Sequence, residues 1–218
     1  MKKYDVIAFD LDGTLTDPAL GITNSILHAL DKMNRPKPPR EELYVFIGPP
    51  LLSAFQEYLG MTADEAELAI KYYREYFSVT GLLENSPYDG VGEMLASLRE
   101  KGYRLCVATS KPEQFAIRIL EHFGLAQYFE KICGASMDAS RNSKTAVLEY
   151  LLGQMGEDVQ GSAVMIGDRH HDIEGAKNVG IPSIGVLWGY GSREELTEAG
   201  ADRISEKMSD LAEIVGTF

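Results

Sequence analysis

Val6-Ile7-Ala8-Phe9-Asp10-Leu11-Asp12-Gly13-Thr14-Leu15 joins an apolar run to a pair of carboxylates in i, i+2 spacing. The run reads as a buried strand, because a short unbroken apolar stretch closed by an Asp-Gly turn suits a strand covered on both faces. Side chains alternate along a strand, so Asp10 and Asp12 point to the same side and converge just outside its carboxyl edge. Like charges placed that close repel, and burial adds a desolvation cost. A cation, a proton or a substrate at that spot is what makes such a pair tolerable.

Three readings of the pair compete. Asp-x-Asp-Gly echoes a calcium loop, but the EF-hand needs glycine at its sixth position and glutamate at its twelfth. Here those positions are Leu15 and Gly21, so that reading fails. A plain strand-to-turn junction, with Asp12-Gly13 as the turn, stays open. So does a nucleophilic aspartate with a partner acid, the pattern of enzymes that pass through an aspartyl-phosphate.

The rest of the chain bounds what the pair can serve. At 218 residues there is room for one sizeable core, or for a core with a small inserted domain. Apolar content of 44% and charged content of 25% are those of an ordinary globular protein. No run approaches the ~18 apolar residues of a membrane span. Met-Lys-Lys-Tyr-Asp leads straight into the first strand, so a cytoplasmic location and no membrane partner are expected. A net charge of −12, from 21 basic and 33 acidic residues, argues against nucleic acid as a partner. Cys106 and Cys133 lie in apolar strand-like runs and read as reduced core residues, with no zinc spacing.

After the first strand, about seventy residues carry helical patterning only. Asp17-Pro18 reads as an N-cap with proline in the first turn, followed by Ile22, Ile26, Leu30 and Met33 at helical spacing. The prolines between Arg35 and Arg40 break that helix, and Gly48-Pro49-Pro50 interrupts a second one between Glu41 and Leu59. Thr62 and Glu65 form a capping box for a third. From Pro87 onward helices and strands alternate, the signature of a parallel sheet covered on both faces. The expected strands are Tyr103–Thr109, Lys131–Ala135, Ala163–Gly167 and Ser183–Leu187, with a short one near Asp202–Ile204 and helices such as Pro112–Phe123 between them. The fold class is therefore α/β: a three-layer, doubly wound parallel sheet from residues 1–15 and 87–218. An all-helical domain, residues 16–86, is inserted after the first strand and expected above its carboxyl edge.

Ligands of open α/β sheets bind at carboxyl edges, so the other strand exits are the places to look for chemistry. One ends in Thr109-Ser110-Lys111, where a hydroxyl and backbone N–H groups at a helix start suit a phosphate; an N-cap at Ser110, with Lys111-Pro112 as the first turn, is the alternative. Another ends in Gly167-Asp168-Arg169-His170-His171-Asp172, a second acidic pair at a sheet edge. The adjacent His170 and His171 diverge on a helix and read as surface rather than as metal ligands. Lys144 opens a helix over Ala146–Leu152, where its charge opposes the helix dipole and so points to a use elsewhere.

Together these segments resemble the haloacid dehalogenase superfamily of phosphatases, a Rossmannoid fold, over essentially the whole chain. Asp10 to Leu15 matches the family's first motif, Thr109 its second, Lys144 its third, and Gly167-Asp168 through Asp172 its fourth. The helical insertion is similar to the family's cap. Ile47-Gly48-Pro49-Pro50-Leu51, Ala108 to Pro112 and Gly167-Asp168-Arg169 carry a closer likeness to the phosphoglycolate phosphatase and 5′-nucleotidase-like branch. Thr145 departs from it, because phosphoglycolate phosphatases have Lys-Pro-x-Pro at the third motif.

The resemblance implies a Mg²⁺-dependent phosphatase. Asp10 is then the nucleophile and Asp12 the general acid and base, a second acid that the dehalogenases of the superfamily lack. Thr109, Ser110 and Lys144 hold the phosphoryl oxygens. The Asp10 carboxylate, the Asp12 backbone carbonyl, Asp168 and Asp172 hold the metal, whose hard oxygen donors suit Mg²⁺. The cap selects the substrate, a small phosphomonoester such as phosphoglycolate, a nucleoside monophosphate or a sugar phosphate. Its candidate contacts are the loop from Ile47 to Pro50 and the basic residues Lys32, Arg35, Lys71 and Arg74. A monomer or homodimer is expected. The alternatives are a sugar-phosphate mutase with the same motifs and a non-catalytic phosphate-binding protein.

Overall fold

The computed structural model of the chain describes residues 4–138, 140–156 and 159–218. Within them the chain forms two compact units: the segment up to Thr16 together with Pro87–Phe218, and Asp17–Ser86. No helix among the described residues is long and apolar enough to cross a membrane.

The larger unit is an α/β fold built on six parallel strands. In chain order these are β1 (Val6–Phe9), β4 (Arg104–Pro112), β5 (Lys131–Ala135), β6 (Ala163–Gly167), β7 (Ser183–Val186) and β8 (Arg203–Ser205), arranged β5-β4-β1-β6-β7-β8. The chain crosses from β5 on one side of β1 to β6 on the other, so β1 sits where the winding direction reverses. That reversal is the point at which open sheets of this kind place their ligands. The remaining short strands, β2 (Thr16–Asp17) and β3 (Ser86–Pro87), pair where the chain leaves this unit and returns.

All four residues of β1 are at most 1% exposed, which is why the run carries no polar alternation. Val6 and Ala8 cluster with Cys106, Ala108 and Cys133, and with Val147, Leu148, Leu151 and Ala176 of the helices α6 (Lys144–Met155) and α7 (His170–Asn178). Ile7 and Phe9 alternate to the other face and are equally buried. The helices α4 (Val91–Glu100) and α9 (Leu211–Thr217) pack on one another, on β4 and on β8. The two thiols are free, and burial pushes Cys106 up to about 12 and Cys133 up to about 11.

Sequence and structure differ most at β4. The expected strand stops at Thr109, but the observed one runs on to Pro112, with a register slip against β5 between Thr109 and Pro112. The slip rests on a neighbour: a Cβ on Gly134 would lie 2.5 Å from the Lys111 carbonyl oxygen, so only glycine admits this approach. Ser110 is therefore a strand residue rather than an N-cap, and α5 (Glu113–His122) begins beyond it. Helix α6 is longer than Ala146–Leu152 because Ser143 caps it, its side chain accepting from the Ala146 N–H at 3.2 Å.

Every regular element between Ala19 and Gly81 is helical. These are α1 (Ala19–Lys32), a 3-10 stretch (Arg40–Phe46), α2 (Leu51–Leu59), α3 (Ala63–Tyr76) and a π-type turn (Phe77–Gly81). Pro18, expected inside the first turn, stands instead at the N-cap position of α1 without a side-chain cap; Asp17 just before it accepts at Oδ1 from the Ala19 N–H at 2.9 Å, and the Thr62–Glu65 capping box opens α3 as expected. Cations of this unit are engaged internally: Arg35 pairs with Glu65 at 2.6 Å, Lys37 pairs with Asp31 at 2.5 Å, and Arg40 donates to Asn24 at 2.8 Å.

Candidate active site

Phe9 pairs with Val107 on one side and with Ile166 on the other, so β1 ends level with these two residues while β4 continues beyond them. Asp10 follows one residue beyond that level, and Thr109, still on β4, and Asp168 follow two residues beyond it. The Asp10 N–H still donates to the Ile166 carbonyl at 2.9 Å, which extends the ladder by one residue. The chain then winds tightly, the Leu11 carbonyl accepting from the N–H groups of Leu15 at 2.9 Å and Thr16 at 3.0 Å. This turn keeps Asp12 beside Asp10 at the sheet edge.

Lys144 enters from the first turn of α6 and joins the groups together. Its Nζ lies 2.8 Å from Asp10 Oδ1 and 2.7 Å from Asp172 Oδ1, and donates to the Ala108 carbonyl at 2.9 Å. Burial pulls an ammonium down, but here the Asp10 and Asp172 carboxylates outweigh it and hold Lys144 above its ordinary value. The charge that opposes the α6 dipole is thus used by two acids. Asp172, on the first turn of α7, also accepts from the Arg169 N–H at 3.1 Å.

Asp168 is fully buried and held from both sides, Oδ1 accepting from the Thr14 hydroxyl at 3.1 Å and Oδ2 from the Tyr190 N–H at 2.8 Å. Trp188 braces the Thr14 backbone, its Nε1 donating to the Thr14 carbonyl at 3.0 Å. Gly13 has φ +87°, and a Cβ there would fall 2.2 Å from Asp168 Oδ2. Gly13→Ala should therefore push Asp168 aside and strain the turn, costing about 1–3 kcal/mol of stability. Any catalytic kcat/KM that depends on Asp168 should fall by ~100-fold, a misplacement effect. Thermal denaturation and steady-state kinetics check this; parent-like activity would show that the placement of Asp168 is not critical.

Asp12 has its own cation. Lys111 Nζ donates to Asp12 Oδ2 at 2.5 Å, and both residues are buried. Burial raises the Asp12 carboxyl above its usual range, and Lys111 offsets part of that rise. Asp12 Oδ1 is buried with no hydrogen-bond partner among the described residues. Thr109, 1% exposed, accepts from the Lys111 N–H at 3.2 Å, which leaves its own hydroxyl proton to donate elsewhere.

One carboxylate oxygen each from Asp10, Asp168 and Asp172 lie within 4.8 Å of one another, all three residues being buried. Burial and the neighbouring acids push Asp168 well above the ordinary carboxylate range, and burial pushes Asp172 up to about 6 against the pull of Lys144. Three carboxylates against one ammonium leave a formal charge of −2 when all are ionised, the Asp12–Lys111 pair being neutral on its own. A cluster of hard oxygens with that residual charge fits a divalent cation of the Mg²⁺ type.

The comparisons with known proteins meet this geometry from outside. A family model described as haloacid dehalogenase-like hydrolase matches residues 7–186, which contain every group named above except Tyr190 and Trp188. The chain belongs to the haloacid dehalogenase-like hydrolases. Within that family it is 44% identical to a 5′-nucleotidase of Pseudomonas aeruginosa over 96% of this chain and 93% of the relative. It is also 42% identical to tyrosine-protein kinase PtkA of Mycobacterium tuberculosis, over 99% of this chain and 74% of the relative. A crystal structure of a predicted phosphatase from Clostridium acetobutylicum superposes with a TM-score of 0.95 at 43% identity, covering 99% of each chain. This haloacid dehalogenase-like hydrolase is a phosphoric monoester hydrolase.

Of the residues singled out from sequence, Asp10 and Asp172 are joined by Lys144, Asp168 brings a carboxylate oxygen within 4.8 Å of theirs, and Asp12 and Thr109 are linked to one another through Lys111. The Asp12 carboxylate pairs with Lys111 and lies outside the three-carboxylate cluster. Ser110 is half-buried on β4. Lys111, Thr14 and Tyr190 are the site residues that sequence reasoning missed. His170 and His171 do not diverge as expected: their ring centroids are 3.8 Å apart, because Glu195 holds His170 Nδ1 at 2.7 Å beside the helix start.

Proposed function

We propose that this hydrolase cleaves a small phosphomonoester through an aspartyl-phosphate on Asp10, with Mg²⁺ held by Asp10, Asp168, Asp172 and the Asp12 backbone carbonyl. The observation that carries the reading is the buried −2 cluster at the sheet's switch point, with Asp10 as a member that also has a lysine beside it. Asp10 attacks phosphorus in line: an Asp10 O–P bond forms, the ester P–O bond breaks, and Asp12 gives its proton to the leaving oxygen. Water then attacks the same phosphorus; a new O–P bond forms, the Asp10 O–P bond breaks, and Asp12 takes up the water proton. Thr109 donates its free hydroxyl proton to a phosphoryl oxygen, the Ser110 backbone supplies a neighbouring donor, and Lys144 neutralises charge gathering at Asp10. When bound, Mg²⁺ supplies Lewis-acid stabilisation of the phosphoryl oxygens.

The helical unit, Asp17–Ser86, is read as a substrate-selecting cap, since its insertion begins only a few residues beyond Asp12. The name of the 5′-nucleotidase relative favours a nucleoside monophosphate among the small esters considered. Purified protein should release inorganic phosphate from p-nitrophenyl phosphate in equal amount to the phenol, which separates hydrolysis from mutase-type transfer and from simple binding. EDTA should cut the rate by at least ~100-fold, and Mg²⁺ should restore it better than Ca²⁺, whose larger, looser shell suits this small cluster poorly. Full activity after exhaustive chelation would remove the metal from the proposal. A panel of phosphomonoesters that includes nucleoside monophosphates and phosphoglycolate tests the substrate assignment.

A further inference from the structure

We propose that Lys111 is the positioning residue for the proton carrier: its ammonium fixes the Asp12 carboxyl by one oxygen, leaving Oδ1 as the atom that carries and delivers the proton. The inference rests on the reading of Asp12 as acid and base. An aspartate turns freely about its last torsion, which has a broad profile, so nothing within Asp12 decides which oxygen is presented. Lys111 decides it. Nζ is 2.5 Å from Oδ2, with the lysine side chain 5% and the aspartate side chain 10% exposed, while Oδ1 is buried and has no hydrogen-bond partner among the described residues. A buried ion pair is weak evidence for stability, because an apolar pair of similar volume often serves the fold as well. Its presence beside the reacting groups therefore calls for a use in the reaction.

The placement of Lys111 supports that use. It lies two residues beyond Thr109 on β4, and its N–H donates to the Thr109 hydroxyl oxygen at 3.2 Å. One short segment thus orients a phosphate-binding hydroxyl with its backbone and the proton carrier with its side chain. The two acids of the first motif have separate cations: Lys144 contacts Asp10 and Asp172, and Lys111 contacts Asp12. In the step affected, the Asp10 O–P bond forms as the ester P–O bond breaks, and the proton passes from Asp12 to the leaving oxygen.

Leaving-group dependence tests this. A p-nitrophenolate departs without a proton, whereas phenolate needs one, so the ratio of kcat/KM for p-nitrophenyl phosphate over phenyl phosphate reports proton delivery. Loss of general acid catalysis is worth ~10²–10⁴-fold, so Asp12→Ala should raise that ratio by ~100-fold or more. Lys111→Met should raise it by ~10–100-fold, and Lys111→Gln, which keeps an N–H donor near Oδ2, by less. In the Asp12→Ala background Lys111→Met should change the ratio no further, as expected of two groups acting as one unit. Circular dichroism establishes that each variant folds. An unchanged ratio in folded Lys111→Met, or in folded Lys111→Gln should the first not fold, overturns the proposal and assigns Lys111 to packing or to phosphoryl binding. If Asp12→Ala also leaves the ratio unchanged, the acid assignment itself fails; a raised ratio there with none in the lysine variants removes Lys111 alone.

Discussion

Asp10→Asn should abolish phosphate release, by ~10³-fold or more, in a protein that folds as well as its parent. The expectation follows from what the carboxylate does and from what it costs. An amide of nearly the same shape has no anionic oxygen to form the bond to phosphorus, and losing a nucleophile removes a whole covalent route rather than one stabilising contact. The same change lowers the charge of the acidic cluster from −2 to −1, because Asp10 is one of its three carboxylates. Without a divalent cation, that relief offsets the loss of the Lys144 contact, so the thermal midpoint should stay within a few degrees of the parent's. With Mg²⁺ added, the parent should gain more stability than the variant, since ligand binding stabilises in proportion to its affinity. Phosphate assays and thermal denaturation with and without Mg²⁺ read both effects. Comparable turnover by folded Asp10→Asn would remove Asp10 as nucleophile, whatever happened to the metal.

Much of this site was legible because its signals are local in sequence. An apolar run ending in acids marks a strand exit by itself, and Lys131–Ala135 and Ala163–Gly167 are strands with the bounds their apolar runs suggest. Lys144 was legible because a lysine at a helix start goes against the dipole. What the sequence hid depends on neighbours far along the chain. Lys111 reads as the first turn of a helix until β5, through Gly134, lets β4 run on past Thr109; its partner Asp12 is 99 residues away. Tyr190 reaches Asp168 through its backbone N–H, which no side-chain pattern announces, and Thr14 acts on Asp168 across 154 residues. The pairing of the two histidine rings hides in the same way, set by Glu195 from the next helix, α8 (Arg193–Ala199).

Lys144→Met should lower both stability and activity, and the balance between them identifies what the lysine is for. Lys144 is 5% exposed; methionine keeps most of its apolar stem and removes only the ammonium, which contacts two carboxylates and a carbonyl. The cluster then carries three acids with no cation. Removing one partner of a buried pair costs about 3–5 kcal/mol, because the charges left behind stay desolvated. For a chain of 218 residues this corresponds to a fall of roughly 10 °C in the thermal midpoint. A divalent cation faces −3 instead of −2 in the variant, so Mg²⁺ should restore more stability there than in the parent. Activity should stay low even at saturating Mg²⁺, by ~10²–10³-fold, because the ammonium acts where charge develops on Asp10 and the phosphoryl oxygens. If saturating Mg²⁺ restores stability and activity together, Lys144 serves only to balance charge, and its place in the chemistry falls away. If stability returns while activity does not, its ammonium acts on the reacting phosphoryl group, at a spot the metal cannot reach.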